Sequence, residues 1–193
     1  MIQIKRCLHA IVHVAKEMGR AIMLANYSVR ERLRDGRPIE IRVLRPEDQP
    51  AMLAAVDHTS TQSLQRRFFA TKRGFSEQEK AFFTKIDLVN HVALVAVIEE
   101  DGKPVIIGGG RYVVTEGDKA EVAFLVIDAY QGQGIGAILT QHLAVLARAA
   151  GVKELVADVL PENAAMLKVL NRLGFRAGRR LDPQVVHLTM RLT

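Results

Sequence analysis

Gln131-Gly132-Gln133-Gly134-Ile135-Gly136 stands between two segments of different periodicity, and its reading decides the fold. Before it, Glu121 to Ile127 (Glu-Val-Ala-Phe-Leu-Val-Ile) is an apolar strand pattern. After it, from about Gly134 to Ala150, Ile135, Ile138, Leu139, Leu143, Leu146 and Ala150 recur at helical spacing. Three alternate glycines exceed what one strand-to-helix turn requires. They let the backbone approach a ligand and turn several N–H groups one way. The helix that follows adds its own unpaired N–H groups and the positive end of its dipole. Together they form a cradle for phosphate, best suited to a diphosphate.

Two nucleotide folds compete for this loop. Read as Gly132-x-Gly134-x-x-Ala137, it satisfies the dinucleotide fingerprint, with Asp158 closing the next strand where a ribose-binding acid would sit. In that fingerprint the first Gly directly follows the strand, whereas here Asp128-Ala129-Tyr130-Gln131 intervene. Only one further helix–strand pair follows, so the second half of a doubly wound sheet is missing.

Read as Gln131-x-x-Gly134-x-Gly136, the loop resembles the acyl-CoA pyrophosphate loop of the GNAT superfamily of N-acetyltransferases. Asn163-Ala-Ala-Met166 after a strand, then Leu173-Gly174-Phe175, resembles the family's second signature, an Asn opening the last helix and a Gly-Phe closing it. The resemblance implies acetyl-CoA as acyl donor and no metal.

Composition sets bounds. The chain has 193 residues and 49% hydrophobic content, which suits one ordinary domain with a real core. A single cysteine, Cys7, excludes an intramolecular disulfide framework and fits a reducing, cytoplasmic compartment. No apolar run reaches the length of a membrane span, so no integral membrane association is expected. Charge is unevenly divided. Residues 1–37 hold eight Lys/Arg and three Asp/Glu, a net of +5, and residues 38–193 hold nineteen and eighteen, a net of +1. The basic character belongs to an extension, which with the absence of Trp argues against a nucleic-acid partner.

Residues 1–36 are read as that basic extension, with Ile2 to Ala25 as an added amphipathic helix, and residues 37–193 as the catalytic domain. His9 and His13 are four apart, but no third ligand accompanies them, so no metal site is assigned. Leu8 to Ala15 ends in Lys16-Glu17 without a small-residue cleavage site there, unlike a secretory signal.

From Arg37 onward the pattern alternates strands and helices. Ile39 to Leu44 is a strand, and Arg45-Pro46-Glu47-Asp48 opens a helix. Ser76-Glu77-Gln78-Glu79 has the form of a capping box. His91 to Glu99, Val105 to Thr115 and Lys119 to Ile127 read as strands joined by hairpin turns. Gly108-Gly109-Gly110 inside the second of these predicts a bulge or a close ligand approach. Glu154 to Val159 is a strand, Asn163 to Leu173 a helix, and a closing strand pair ends in Val185 to Leu192. The fold class is α/β (α+β), a mixed sheet flanked by helices; its mostly antiparallel order is what the GNAT resemblance implies.

The resemblance also implies the chemistry. The family transfers an acyl group from CoA to an amine by direct attack, and the amine must arrive neutral although a free lysine amine has a pKa of about 10.4. Glu121 is the candidate proton acceptor. Alternation sets it on the face of Ala123, Leu125 and Ile127, where apolar neighbours favour a raised carboxylate pKa; the competing reading is a solvated hairpin-end Glu. The backbone of Leu125, Val126 and Ile127 would pair with the pantetheine arm, and the N–H of Val126 or Ile127 would polarise the thioester carbonyl. Gln131, Gly132, Gln133, Gly134, Ile135 and Gly136 would hold the diphosphate. Asn163 would contact the CoA arm, cap its helix, or do both. Many relatives carry a Tyr seven residues after this Asn to protonate the thiolate; here Leu170 stands there, which leaves water for that role.

Thr59 to Phe69, Ile106 to Tyr112 and Ala120 to Phe124 together resemble the bacterial protein-lysine acetyltransferase branch, whose substrates are AMP-forming acyl-CoA synthetases. The expected partner is therefore a protein with a reactive lysine. A small amine, or a non-catalytic acyl-CoA-binding role, is the alternative. The nucleotide-sensing and synthetase-like domains that accompany such enzymes have no counterpart in this sequence, so regulation by them is not expected. Arg66-Arg67-Phe68-Phe69 is equally readable as a helix end with two solvated cations and two core aromatics.

Overall fold

Eight strands form one sheet in the order β1-β2-β3-β4-β5-β6-β8-β7, and of its seven pairings only β5–β6 is parallel. The computed structural model describes residues 19, 21–70, 75–178, 182 and 184–192. The strands are β1 (Ser28–Arg32), β2 (Pro38–Val43), β3 (His91–Glu100), β4 (Lys103–Val114), β5 (Lys119–Val126), β6 (Glu154–Val159), β7 (Arg176–Ala177) and β8 (Val186–Arg191). The helices are α1 (Gln49–Asp57), α2 (Thr61–Phe68), α3 (Glu77–Thr84), α4 (Ile135–Ala149) and α5 (Ala164–Arg172). The mixed, mostly antiparallel sheet expected from the sequence is observed.

β3 is apolar on both faces because helices cover both: His91 to Ile98 are all buried. On one face α4 buries Ile135, Leu139, Leu143 and Leu146 against Leu94, Ile107, Val122, Phe124 and Leu155. On the other, α1 closes a smaller cluster of Leu44, Ala55, Ala93, Val95, Val97, Ile106 and Ile127. The turn from β2 into α1 is fixed by a buried pair. Arg42 Nη1 and Nη2 donate to Asp48 at 2.6 and 2.7 Å, and the Arg45 N–H adds a bond of 2.8 Å to the same carboxylate. Burial raises the Asp48 pKa, but these donors more than reverse it and hold the carboxyl below its usual range.

The expected capping box at Ser76 and Glu79 is present, and Ser60 caps α2 through Ser63 N–H. The bulge expected at the glycine triplet also occurs, as a register shift between Ala96 and Val97 that skips Ile107. The bareness of the triplet serves packing of the protein itself, where the sequence reading offered a ligand. A Cβ on Gly110 would lie 2.7 Å from Phe124 and 3.1 Å from Leu143, and one on Gly108 would lie 3.3 Å from Ile135. Their bareness lets α4 lie close against β4 and β5.

Within the stretch read as an extension, Ser28–Arg32 form a strand paired along β2 from Ser28↔Arg42 to Arg32↔Pro38. Leu24 and Leu33 are buried, and Tyr27 Oη lies 2.5 Å from His142 Nδ1 on α4. Residues 21–25 are helical; the remainder of the helix read over Ile2 to Ala25 falls almost wholly outside the described residues.

Gly110→Ala is expected to destabilise the fold by about 1–3 kcal/mol, because the clash exceeds the gain from a less flexible unfolded chain. Urea unfolding of both proteins measures this; an unchanged midpoint would show that Phe124 and Leu143 yield freely.

Candidate active site

β5 and β6 pair over three residues only, Lys119↔Glu154, Ala120↔Leu155 and Glu121↔Val156, and then part. β5 continues along β4 as far as Gly108↔Val126, and β6 continues along β8 as far as Val159↔Val186. The gap is an open cleft of about 230 Å³, lined by the free edge of β5, the glycine loop, α2 and the first turns of α4 and α5.

At one end lies the glycine loop. Gly132 and Gly134 take left-handed backbone angles, φ 78° and 96°, and Gly134 caps α4, so the predicted helix start near Gly134 is observed. The backbone N–H groups of residues 132–136 donate to no acceptor among the described residues. A Cβ at Gly136 would meet nothing within 4 Å, because that position faces the cleft. Five amides around a bare helix N-terminus could hold a diphosphate.

Two cations that the sequence reading did not assign reach this end. Arg34, in the turn between β1 and β2, donates from Nη1 to Gly132 O at 3.0 Å and from its backbone to Gln133 O at 3.2 Å. Arg66 lines the same cleft, and its buried Nε has no hydrogen-bond partner. Nothing local marks Arg34, which lies 98 residues from Gly132 in the chain.

Asp128 joins the loop to α2. It accepts from Ser60 N–H at 2.6 Å, Ser63 Oγ at 2.5 Å and Gln131 Nε2 at 2.8 Å. Burial raises its pKa, but the Ser63 and Ser60 bonds and the charge of Arg66 bring it below the usual carboxylate range. The Gln131 amide also donates to Val126 O at 3.1 Å, so this loop residue braces β5 from within.

Hydrogen bonding along β5 separates the three residues assigned to the pantetheine arm. Ile127 N–H donates to Ile107 O at 3.0 Å, so in an antiparallel ladder Leu125 and Ile127 turn their polar groups toward β4. Val126 and Phe124 turn theirs to the cleft, where both N–H groups lie on the free edge of β5 beyond the pairing with β6. Ile127 N–H is not available to polarise a thioester.

Glu121 stands at the last paired position before the strands part, exposed and lining the cleft. Ala123 and Leu125 share its face, as alternation requires, but so does a charge: Arg67 of α2 feels Glu121 through space. Arg67 is only partly exposed, unlike a solvated helix-end cation, whereas Phe69 is 45% exposed with a left-handed backbone. Asn163 caps α5, accepting from Met166 N–H at 3.3 Å, and also lines the cleft. Leu170 is buried in the core at the cleft wall. Tyr130 lines the cleft as well, but its hydroxyl is bonded to Glu100, which raises its pKa.

Residues 59–175 match the Acetyltransferase (GNAT) family. The chain belongs to that family. It is an acetyl-CoA-dependent GNAT acetyltransferase. It is 32% identical over 160 residues to Acetyltransferase PA5475 of Pseudomonas aeruginosa, covering 81% of this chain and 86% of that one. It is 35% identical over 145 residues to Acetyltransferase Pat of Mycolicibacterium smegmatis, covering 74% of this chain and 42% of Pat. Among solved structures, the GNAT domain of S. lividans PAT aligns with a TM-score of 0.80 and 33% identity over 87% of this chain and 98% of that domain. A cAMP-binding acyltransferase from Mycobacterium smegmatis aligns with a TM-score of 0.59 and 29% identity, over 86% of this chain and 48% of that one. The chain thus spans about half the length of the M. smegmatis proteins it resembles.

Gly136→Asp tests the phosphate cradle without straining the backbone, since Gly136 is helical. Asp near a helix N-terminus favours the helix by a few tenths of a kcal/mol, so the melting temperature should hold or rise. Acetyl-CoA affinity, measured by calorimetry, should fall about a hundredfold through repulsion of the diphosphate; retained affinity would remove the loop as its site.

His91, at the start of β3, is 8% exposed, stacked on Phe82 and 3.1 Å from Arg111 Nη1. Burial and then the Arg111 charge push its pKa down to about 4, against the opposing pull of Asp87. The folded state therefore holds His91 neutral while the unfolded chain takes up a proton below about 6.5. Stability should fall between pH 6.5 and 4 by on the order of 2 kcal/mol. Urea unfolding across that range should show the slope, and His91→Gln should flatten it.

Proposed function

We propose that this enzyme acetylates a lysine side chain of a protein, by direct attack of the amine on the acetyl-CoA thioester, with Glu121 as proton acceptor. The observation that carries the reading is the position of Glu121, at the fork where β5 and β6 part and on the face away from α4. The likeness to Acetyltransferase Pat and to the GNAT domain of S. lividans PAT supports the protein substrate.

In this reading the amides of residues 132–136 hold the CoA diphosphate, with Arg34 and Arg66 adding positive charge. The pantetheine arm runs along the free edge of β5 as an added strand, past Asn163 on α5. Val126 N–H donates to the thioester carbonyl oxygen and stabilises the charge it gains as the amine attacks. The lysine amine enters from the face of Glu121 and loses its proton to that carboxylate, directly or through one water. The tetrahedral species then expels the CoA thiolate. With Leu170 at the cleft wall and the Tyr130 hydroxyl tied to Glu100, solvent water returns the proton to sulfur. Such chemistry belongs to a reducing, cytoplasmic setting, and no helix among the described residues is long and apolar enough to cross a membrane.

The test is intact-mass spectrometry of an AMP-forming acyl-CoA synthetase incubated with the enzyme and acetyl-CoA, with free thiol followed in parallel. One added acetyl group, dependent on enzyme, is expected. Glu121→Gln should lower turnover by about 10²–10⁴ while acetyl-CoA affinity changes less than about threefold. Turnover equal to the wild type would remove Glu121 as the base. Thiol release from small amines with no mass gain on the synthetase would reject the protein substrate.

A further inference from the structure

On the sheet face opposite α4, a second cavity lies beneath the rings of Phe68, Phe75 and Phe83. It adjoins the donor cleft through three residues that line both, Arg67, Ala123 and Leu125. None of the glycine-loop residues lines it, so the CoA diphosphate does not reach it. Among the described residues its walls are apolar but for two charged side chains, Arg67 and Arg111.

Neither arginine has an ion-pair partner within 4.0 Å among the described residues. Arg111 is held by neutral groups. Its Nη1 lies 3.1 Å from His91 Nε2, its Nη2 is 3.4 Å from Phe83 O, and its guanidinium is 4.9 Å from the Phe83 ring centre. The Arg67 guanidinium rests 4.9 Å over the Phe68 ring and forms no side-chain hydrogen bond among the described residues. Burial and the charge of Arg67 push Arg111 down to about 9, and burial pushes Arg67 down to about 10. Two like charges stand in an apolar wall without a contacting counter-ion among the described residues, Glu121 acting on Arg67 only through space, an arrangement that an arriving anion would relieve.

We propose that Arg67 and Arg111 form a subsite for a carboxylate that the acceptor carries beside its amine. This rests on the acetyl-transfer reading, and it adds a second requirement to the acceptor. Guanidinium forks match a carboxylate, and the phenyl walls suit the short aliphatic stem that bears it. A phosphate would turn a further charged oxygen toward those rings. Because Arg67 and Leu125 also line the donor cleft, a bound carboxylate lies near the acyl group. Two sources fit this chemistry: an Asp or Glu side chain beside the target lysine of a protein, or the carboxylate of a free amino acid.

Calorimetric titration with butyrate and with butyramide tests the subsite without turnover. Butyrate should bind saturably and butyramide should not, and Arg67→Gln and Arg111→Gln should each weaken butyrate about tenfold or more. Arg111 does not line the donor cleft, so acetyl-CoA binding by Arg111→Gln reports whether that variant is folded; Arg111→Lys, which keeps the charge, should recover part of the affinity. Equal binding of the two probes, or butyrate binding indifferent to both substitutions, overturns the subsite. Thiol release then identifies the source. A kcat/KM at least about tenfold higher for lysine peptides flanked by Glu than by Gln assigns the carboxylate to a protein; the same preference for free amino acids over their amides assigns it to a small amine. In either case the preference should collapse in Arg111→Gln, and its persistence there overturns the proposal. Arg-dependent butyrate binding with no thiol release from any acceptor would uphold the subsite and reject acetyl transfer.

Discussion

The parallel pairing of β5 and β6 stops at Glu121↔Val156, and the rest of the site depends on that stop. Each strand is held by its other neighbour, β5 by β4 and β6 by β8, so the gap is not free to close. A strand edge with unpaired polar groups is ordinarily a liability. Here it faces a cleft in which an extended ligand arm can complete the ladder. The parting also leaves Glu121, the last paired residue, on the wall of that cleft.

Packing on the α4 face aligns the other half of the site. Gly108 and Gly110 remove the side chains that would hold α4 away from the sheet, and α4 begins at the glycine loop. Its unpaired amides therefore open at the end of the β5 edge, so one close contact sets both the core and the cradle. Asp128 performs the same service for the opposite face, drawing the capped start of α2 to the loop and with it Arg66 and Arg67. Charge is thus spread along the site: amides and Arg34 at the glycine-loop end, one carboxylate at the fork, and beyond it two arginines with no ion-pair contact among the described residues.

Local order was legible in the chain because local rules govern it. The glycine loop, the start of α4 near Gly134, the Ser76–Glu79 box, the three strands from His91 and the cap at Asn163 each depend on residues within a few positions of one another. The alternation that set Glu121 with Ala123 and Leu125 is likewise a property of β5 alone. The glycine triplet was legible as a bulge, but not as the seat of a helix, since Phe124 and Leu143 are brought to Gly110 only by folding.

What the tertiary structure decided concerns partners distant in sequence and the direction of hydrogen bonds. Arg34 meets a loop 98 residues away, and Asp128 meets Ser63 across 65. Ser28–Arg32 lie within a stretch whose basic composition reads as an extension, yet they pair as a strand because β2 offers them an edge. Ile127 and Val126 are alike in sequence, but the ladder with β4 takes the N–H of Ile127 and leaves that of Val126. Arg67 is readable in the sequence as a solvated helix-end cation and Arg111 has no local mark, until the sheet and α3 enclose them among phenyl rings. By itself the sequence determined the family, the loop and most of the elements after Arg37, because short-range periodicity and backbone freedom encode them. Which charges are buried, and which backbone groups remain free to act on a ligand, was settled only when the strands paired and parted, because burial and hydrogen-bond commitment are properties of neighbours in space.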